Sequence, residues 1–201
     1  MGTARDLMIG VMDRALGRPV AQGELSLVLA GAELLDLLGA EAVTLDGENL
    51  VPGDRPEPFG DPLLDGALAA LVPDEPHETV DDWLWRRGRG LAGQYLTAFE
   101  AEGLVARPRG SWLRLRGDRP LPVDSPARLR AAHRWAADEP VLATLATFLR
   151  LRDDVPDDCP PPEEAARTVF GAVVEALTEL DAVRRRRAIE NAAFANVWRG
   201  A

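Results

Sequence analysis

The sequence predicts a mainly α-helical protein: one compact helical bundle, a single domain over residues 1–201, with two small β-hairpins, one of them protruding. Three observations predict this fold class. Apolar residues recur at helical spacing through most of the chain. Two short alternating segments each surround a glycine-containing turn, as in β-hairpins. A chain of 201 residues that is 46% apolar has the size and composition of one domain with a packed core.

The N-terminal part contains the most strongly predicted helix. After a short apolar element, "ARDLMIGVMDRALG", and a turn at "LGRP", residues 24–39 read "ELSLVLAGAELLDLLG". Its apolar side chains recur at helical spacing among few charges, so we expect a helix buried on most of its surface. Leu29 and Leu35 are predicted core residues, and Gly39 is a predicted C-cap. The alternating segment "AVTLDGENLV" then predicts a hairpin that turns at Asp46-Gly47.

The remaining helices are predicted from their starts. Asp61 before Pro62, Thr79 three residues before Asp82, and Ser125 before Pro126 are all typical of N-caps. A further helix over 90–102 leads into the second hairpin, and "DEPVLATLATFLRLR" predicts an apolar helix. The acidic, proline-rich segment 154–162 predicts a linker, after which we expect two helices, 163–180 and 181–199.

No pattern of catalytic or metal-binding residues is present. His77 and His133 lie far apart in the sequence, and Cys159 is the only cysteine, which excludes an intrachain disulfide and a multi-cysteine zinc site. Paired acids lie at helix starts or in loops, where the helix dipole and solvation account for them. Nucleotide-loop, serine-nucleophile and zinc-protease motifs are all missing. We therefore expect a non-catalytic protein with no cofactor and no metal.

The location of the charges is more informative than their sum. The chain has a net charge of −10 and uses arginine as its only cation apart from histidine, with a composition typical of GC-rich bacterial genomes. Residues 84–134 hold 11 arginines and four acids, a basic band on an otherwise acidic chain. Such a band could attract an anionic surface, or its arginines could pair with acids of the fold; the sequence leaves both open.

Nothing in the sequence predicts a membrane-spanning or secreted protein. No apolar run reaches the ~18 residues that a bilayer crossing requires, and the N-terminus has no signal-peptide pattern. We expect a cytoplasmic protein that could associate peripherally with the inner face of a membrane.

Taken in order, the predicted elements resemble the Golgi phosphoprotein 3 family, which includes a yeast vacuolar sorting protein and many bacterial members. The resemblance rests on "LMIGVMDRALGRPV", "LSLVLAGAELLDLLGAEAVTLDG", "GDPLLDGALAAL", "TVDDWLWRR", "YLTAFEAEGLV" and "LPVDSPARLR". It implies a compact, mainly helical domain with a protruding hairpin. It also implies binding to phosphatidylinositol 4-phosphate on membranes and a role as an adapter for other proteins.

The residues of the family's lipid pocket are only partly retained. The family pocket uses a Trp and an Arg nine residues apart, with the Arg directly before a glycine that matches Gly31; these positions are Ala21 and Ala30 here. Two further arginines of the family pocket correspond to Arg89 and Ala92. Because a phosphate group needs several charge-assisted donors, Arg89 alone implies weak binding with little headgroup selectivity. Arg86 and Arg87 are close enough in sequence to compensate.

The second hairpin, residues 104–117, keeps more of the family's character. In the family the hairpin contacts membranes and mediates self-association, so we expect it to touch an anionic phospholipid surface or a second copy of the chain. A tryptophan beside arginines suits the interface of a bilayer, with the ring at headgroup level. Its predicted contact residues are Arg107, Arg109, Trp112, Leu113, Arg114, Leu115 and Arg116.

Two alternative functions compete with a lipid-binding adapter. The helix, glycine and arginine-rich hairpin in "GQYLTAFEAEGLVARPRGSWLRLRG" also match a winged-helix DNA-binding regulator. However, the helix lacks the basic and amide side chains that read a DNA groove, and the sequence pI of about 4.7 is low for a nucleic-acid-binding protein. The other alternative is a bacterial protein-interaction module that does not bind lipid. We consider nucleic acid the less favoured partner, and the sequence does not identify a protein cargo.

Overall fold

The computed structural model describes residues 2–14, 20–54, 57–106, 121–155 and 162–199. These ranges are mainly helical, as predicted, with two short antiparallel strand pairs. The helices are α1 Thr3–Arg14, α2 Gln22–Gly39, α3 Pro62–Ala69, α4 Val80–Arg87, α5 Leu91–Ala101, α6 Pro126–Ala136, α7 Pro140–Phe148 and α8 Glu164–Arg199. The strands are β1 Val43–Asp46, β2 Asn49–Pro52, β3 Val105–Ala106 and β4 Leu121–Pro122.

Helix α2 is the centre of the fold. It packs against α1, α3, α4, α5, α7 and α8, and the buried apolar residues of these helices form one cluster. Leu29 is fully buried and Leu35 is 9% exposed, so the prediction that both are core residues is confirmed. Gly31 explains how closely α8 approaches: a Cβ at Gly31 would lie 2.6 Å from Cγ2 of Val173, so a larger residue would push the two helices apart.

The predicted helix starts are confirmed. The side-chain oxygens of Asp61, Thr79 and Ser125 each accept a hydrogen bond from a backbone N–H in the first turn of the helix that follows. The start of α1 uses a distant cap that the sequence pattern did not reveal. Asp36 of α2 accepts hydrogen bonds from the backbone N–H of Thr3 at 2.9 Å and of Ala4 at 3.3 Å. These bonds tie the N-terminus of α1 to the core helix.

The hairpin predicted at Asp46-Gly47 is confirmed. Strands β1 and β2 pair antiparallel, with Asp46 opposite Asn49, and Gly47 has the left-handed φ of 60° that this turn requires. In the second pair, Val105 lies opposite Pro122. The sequence did not predict β4. The chain between the strands, 107–120, lies outside the described residues.

The prediction of two helices at the C-terminus is wrong: α8 is continuous from Glu164 to Arg199. No proline or glycine interrupts the chain between the two predicted helices, around residues 180 and 181. Asp181 forms an ion pair with Arg185, one turn later. An acid four residues before a base supports a continuing helix, so the pair bridges the boundary that we predicted.

Candidate functional site

The three arginines predicted to bind lipid lie close together in the sequence: Arg86 and Arg87 end α4, and Arg89 lies two residues beyond it. They nevertheless lie in three different environments. Arg86 is held by Glu78, whose carboxylate accepts bonds of 2.6 Å from both Nε and Nη2 of the guanidinium. Its Nη2 also donates to the carbonyl oxygen of Ala70 at 2.9 Å. The bond to Glu78 raises the pKa of Arg86 further. Arg86 therefore fastens the 70–78 loop to α4, although part of its side chain stays exposed.

Arg87 turns toward the core. Its Nε and Nη2 donate to the two carboxylate oxygens of Glu33 at 2.7 and 3.0 Å, a bidentate ion pair. Nη2 also reaches the carbonyl oxygen of Leu63, and the hydroxyl of Tyr95 donates to Glu33 at 3.0 Å. Burial raises the pKa of Glu33, while the bond from Arg87 opposes that rise. This Arg87–Glu33–Tyr95 network joins α2, α4 and α5. It engages Nε and Nη2 of Arg87, so the guanidinium has few donors left to bind a ligand.

Arg89 is exposed, and it is the one of the three whose side chain has no partner among the described residues. Its side chain forms no hydrogen bond or ion pair with other described residues. It lies at the mouth of an open cleft of about 300 Å³, which we call the Arg89 cleft. The cleft lies between the start of α2, the turn from α4 to α5, and the middle of α8. Its lining residues are Gln22, Gly23, Ser26, Leu27, Trp85, Gly88, Arg89, Gly90 and Leu180.

Local backbone geometry brings the positive ends of two helices to this cleft. Gly90 has a φ of 68°, a conformation that favours glycine, and it turns the chain so that α5 starts at Leu91 beside the start of α2. The N-cap residues, Ala21 for α2 and Gly90 for α5, provide no side-chain cap, but Ser26 of α2 caps α5 by accepting a hydrogen bond from the backbone N–H of Ala92. The uncapped N-terminus of α2 carries partial positive charge and adds to the field of the Arg89 guanidinium.

The positions that correspond to the family's lipid pocket surround the same cleft. Ala21 immediately precedes the lining residue Gln22. The backbone N–H of Ala92 donates to the hydroxyl oxygen of Ser26 at 3.1 Å. Ala30 lies one turn beyond Ser26 and is fully buried. Of these four positions only Arg89 lines the cleft itself, and only Arg89 supplies a charged side chain.

Sequence reasoning missed Trp85 as a cleft residue. It lies four residues before Arg89, one turn back along the chain, and it is half-buried beside the cleft. A tryptophan four residues ahead of an arginine at a helix end was the available signal. Gln22, Ser26 and Leu180 carried no such signal, because each comes from a different part of the chain or helix and the cleft exists only in the folded protein.

Two other cavities have different chemistry. A larger one, about 850 Å³, lies between the end of α2, β1, α7 and the start of α8, and its described lining is mainly apolar with two glutamates, Glu139 and Glu163. A third, beside β1, is lined by Glu41, Asp54 and Glu57 among others. Neither of these two has an arginine among its described lining residues, so the Arg89 cleft is better suited to an anion.

The basic band is largely neutralised where the structure describes it. Besides Arg86 and Arg87, Arg128 pairs with Asp13 and Asp124. Arg134 pairs with Asp6 and Glu139. Most arginines of the described band therefore form ion pairs with acids of the fold, which is one of the two possibilities that the sequence left open. Arg89 is an exception. The predicted hairpin contacts Arg107, Arg109, Trp112, Leu113, Arg114, Leu115 and Arg116 lie outside the described residues.

Within the described ranges, no group of three or more His, Cys, Asp or Glu side chains is arranged to hold a metal ion. None of the helices described is both long enough and apolar enough to cross a bilayer. The fold and the cleft thus define a class of protein: a mainly helical domain built around one buried helix, with a small cleft that is open to solvent and carries the positive charge of an arginine.

Comparison with known families makes the assignment specific. The family model described as Golgi phosphoprotein 3 (GPP34) matches residues 4–192, nearly the whole chain. The chain therefore belongs to the Golgi phosphoprotein 3 family, as its sequence pattern indicated. No curated protein matches the chain at a significant level.

Proposed function

We propose that this protein is a non-catalytic, peripheral membrane protein that binds phosphate-bearing lipid headgroups in the Arg89 cleft and serves as an adapter for other proteins. The observation that carries the proposal is the position of Arg89. Its guanidinium is unpaired among the described residues, in a cleft where the uncapped N-terminus of α2 meets the start of α5. A phosphate group placed there meets a cation and the positive N-terminal end of α2.

The affinity and selectivity should both be low. Family members bind phosphatidylinositol 4-phosphate with one tryptophan and three arginines, and here the corresponding positions keep only Arg89. Trp85 supplies an aromatic surface from another position, but it adds no charge. We expect binding to any vesicle that presents anionic phosphate, and we expect added salt to weaken it, because exposed charges are screened within ~8 Å at physiological ionic strength.

The proposed adapter role rests on family membership and on the second hairpin. Strands β3 and β4 form a two-residue antiparallel pair at residues 105–106 and 121–122. We propose that the segment between them carries Trp112 and its arginines to a bilayer or to a second copy of the chain, as the sequence predicts.

The test is vesicle sedimentation with matched arginine variants. Arg89→Gln should lower the affinity for phosphatidylcholine vesicles containing phosphatidylinositol 4-phosphate by about fivefold, since a basic residue near an anionic surface contributes ~1 kcal/mol. Arg86→Gln removes the same charge three residues away, where the guanidinium is already bound to Glu78, and should change binding less.

Equal losses for the two variants would mean that Arg86 also contacts lipid, as the sequence suggested. Unchanged binding in Arg89→Gln would overturn the cleft as the lipid site. Absence of vesicle binding by the unaltered chain would favour an interaction module without lipid binding, and a shift of labelled DNA in a parallel assay would favour the DNA-binding alternative.

A further inference from the structure

A run of four arginines, residues 184–187, lies on α8 where that helix passes the Arg89 cleft. Leu180 of α8 lines the cleft, and α8 packs on both α2 and α4. The contact is close at Gly23 in the first turn of α2. A Cβ at Gly23 would lie 2.9 Å from Nη2 of Arg184 and 3.3 Å from Cδ2 of Leu180. Arg184 therefore lies against a residue that lines the cleft.

Helix geometry separates the four arginines into two pairs. At 3.6 residues per turn, Arg184 and Arg187 lie four and seven residues after Leu180 and share its face of the helix. Arg185 and Arg186 project from other faces, and Arg185 pairs with Asp181. Arg187 is exposed and forms no ion pair within the described part of the chain.

An acid competes for one of these arginines. Nη1 of Arg184 lies 2.5 Å from Oε1 of Glu24, and both side chains are partly exposed. Glu24 belongs to the first turn of α2, the same turn that supplies Gln22 and Gly23 to the cleft. Unpaired, this carboxylate would repel an anion from the cleft. Paired, it occupies a guanidinium that could otherwise bind the anion.

We propose that α8 forms the second wall of the anion site, in which Arg184 and Arg187 face Arg89 across the cleft and Glu24 competes with the ligand for Arg184. This inference rests on the proposed function and extends it. It identifies the ligand class as anions that carry two neighbouring phosphates or a phosphomonoester, whose phosphate can bear two negative charges, because the cations lie on two walls of the cleft. Arginines on α8 thereby take the place of those missing at Ala30 and Ala92.

Four substitutions test the proposal on one soluble anion and two vesicle types. Inorganic pyrophosphate, measured by titration calorimetry, reports the cleft without a membrane. Phosphatidylcholine vesicles that contain phosphatidic acid measure binding to a lipid phosphomonoester. Vesicles that contain phosphatidylserine measure binding to an anionic lipid without a phosphomonoester. Glu24→Gln should tighten binding in the pyrophosphate and phosphatidic acid arms by about fivefold, because it frees Arg184 and removes a negative charge. A gain of affinity for pyrophosphate is not expected from loss of folded structure, because a soluble anion needs the arginines held together by the fold.

Arg187→Gln should weaken binding about fivefold in the same arms. Arg186→Gln is its matched control, since it removes the same charge from a neighbouring exposed residue on another face of α8, and it should leave pyrophosphate binding unchanged. A response to phosphatidic acid alone identifies a lipid headgroup as the source of the anion, whereas a response to pyrophosphate as well identifies the phosphate chemistry itself.

The outcomes separate this inference from the proposed function. If Arg89→Gln weakens binding while Glu24→Gln has no effect and Arg187→Gln behaves like Arg186→Gln, the cleft binds anions without α8 and the inference is wrong. If the unaltered chain binds neither pyrophosphate nor either vesicle, the proposed function and the inference both fail.

Discussion

Replacing Arg87 by methionine tests whether the core depends on the Arg87–Glu33–Tyr95 network. Methionine keeps much of the side-chain length but leaves the Glu33 carboxylate, which has no exposed surface, without its cation. Breaking a buried ion pair by removing one partner costs about 3–5 kcal/mol. We therefore expect the free energy of unfolding to fall by that amount at neutral pH, measured by urea denaturation with circular dichroism.

The loss should depend on pH in a direction that the network dictates. Without Arg87, burial is the largest influence on Glu33 and is opposed by the hydrogen bond from Tyr95, so its pKa rises further above the value in the unfolded chain. For a group whose folded pKa is raised, stability is greatest below the unfolded pKa of about 4.3 and is lost as pH rises through the folded pKa. The variant should therefore regain part of its lost stability between about pH 8 and about pH 5.

Two controls separate the charge from the packing. The double variant Arg87→Met with Glu33→Gln keeps an acceptor for Tyr95 and buries no charge, so it should recover most of the loss and show little pH dependence. Arg185→Met breaks the exposed pair with Asp181 and should leave the unfolding midpoint unchanged. A loss below about 1 kcal/mol in Arg87→Met, or a loss equal at both pH values, would refute this account of the network.

Two further predictions concern the core helix and the hairpin. Leu35→Ala should destabilise the protein by about 2–5 kcal/mol in the same urea assay, because Leu35 packs into the buried apolar cluster around α2. A loss below about 0.5 kcal/mol would mean that α2 is not the centre of the core. Trp112→Ala should leave the melting temperature nearly unchanged and reduce vesicle binding or self-association, because a two-stranded hairpin cannot bury a tryptophan by itself; a large drop in melting temperature with unchanged association would place Trp112 in the core instead.

Local patterns in the sequence were sufficient to predict most of the helices. Asp61, Thr79 and Ser125 each bond to an N–H only two or three residues away, so the capping residue and the helix start appear together in the sequence. The apolar spacing of α2 likewise reports burial directly. The predicted break between residues 180 and 181 was wrong, because no proline or glycine interrupts the chain there and Asp181 pairs with Arg185 one turn later.

The candidate site could be predicted only in part, because its properties come from long-range pairing. Arg87 meets Glu33, 54 positions earlier, and Arg184 meets Glu24, 160 positions earlier. No local pattern indicates that Arg87 is neutralised while Arg89, two residues on, remains unpaired. The resemblance to the family singled out Arg89, which lines the cleft, as a lipid-binding residue, and that role stays a prediction. Helix α8 was matched only in kind, so its arginines could not be placed beside the cleft from the sequence.

The pairing of arginines also explains how a chain with a net charge of −10 could meet an anionic membrane. Most arginines of the described basic band form ion pairs with acids of the fold, so the summed charge of the band overstates the positive charge that it presents to a ligand. At physiological ionic strength, charges more than ~8 Å from a bound phosphate are largely screened, including much of the acidic body. What decides binding is the small set of cations near the cleft that lack a partner. Arg89 belongs to this set, and Arg187 does so in the arrangement of α8 that we propose. Arg184 would join it when Glu24 is neutralised, so affinity should follow the pairing state of Arg184 more closely than the net charge of the protein.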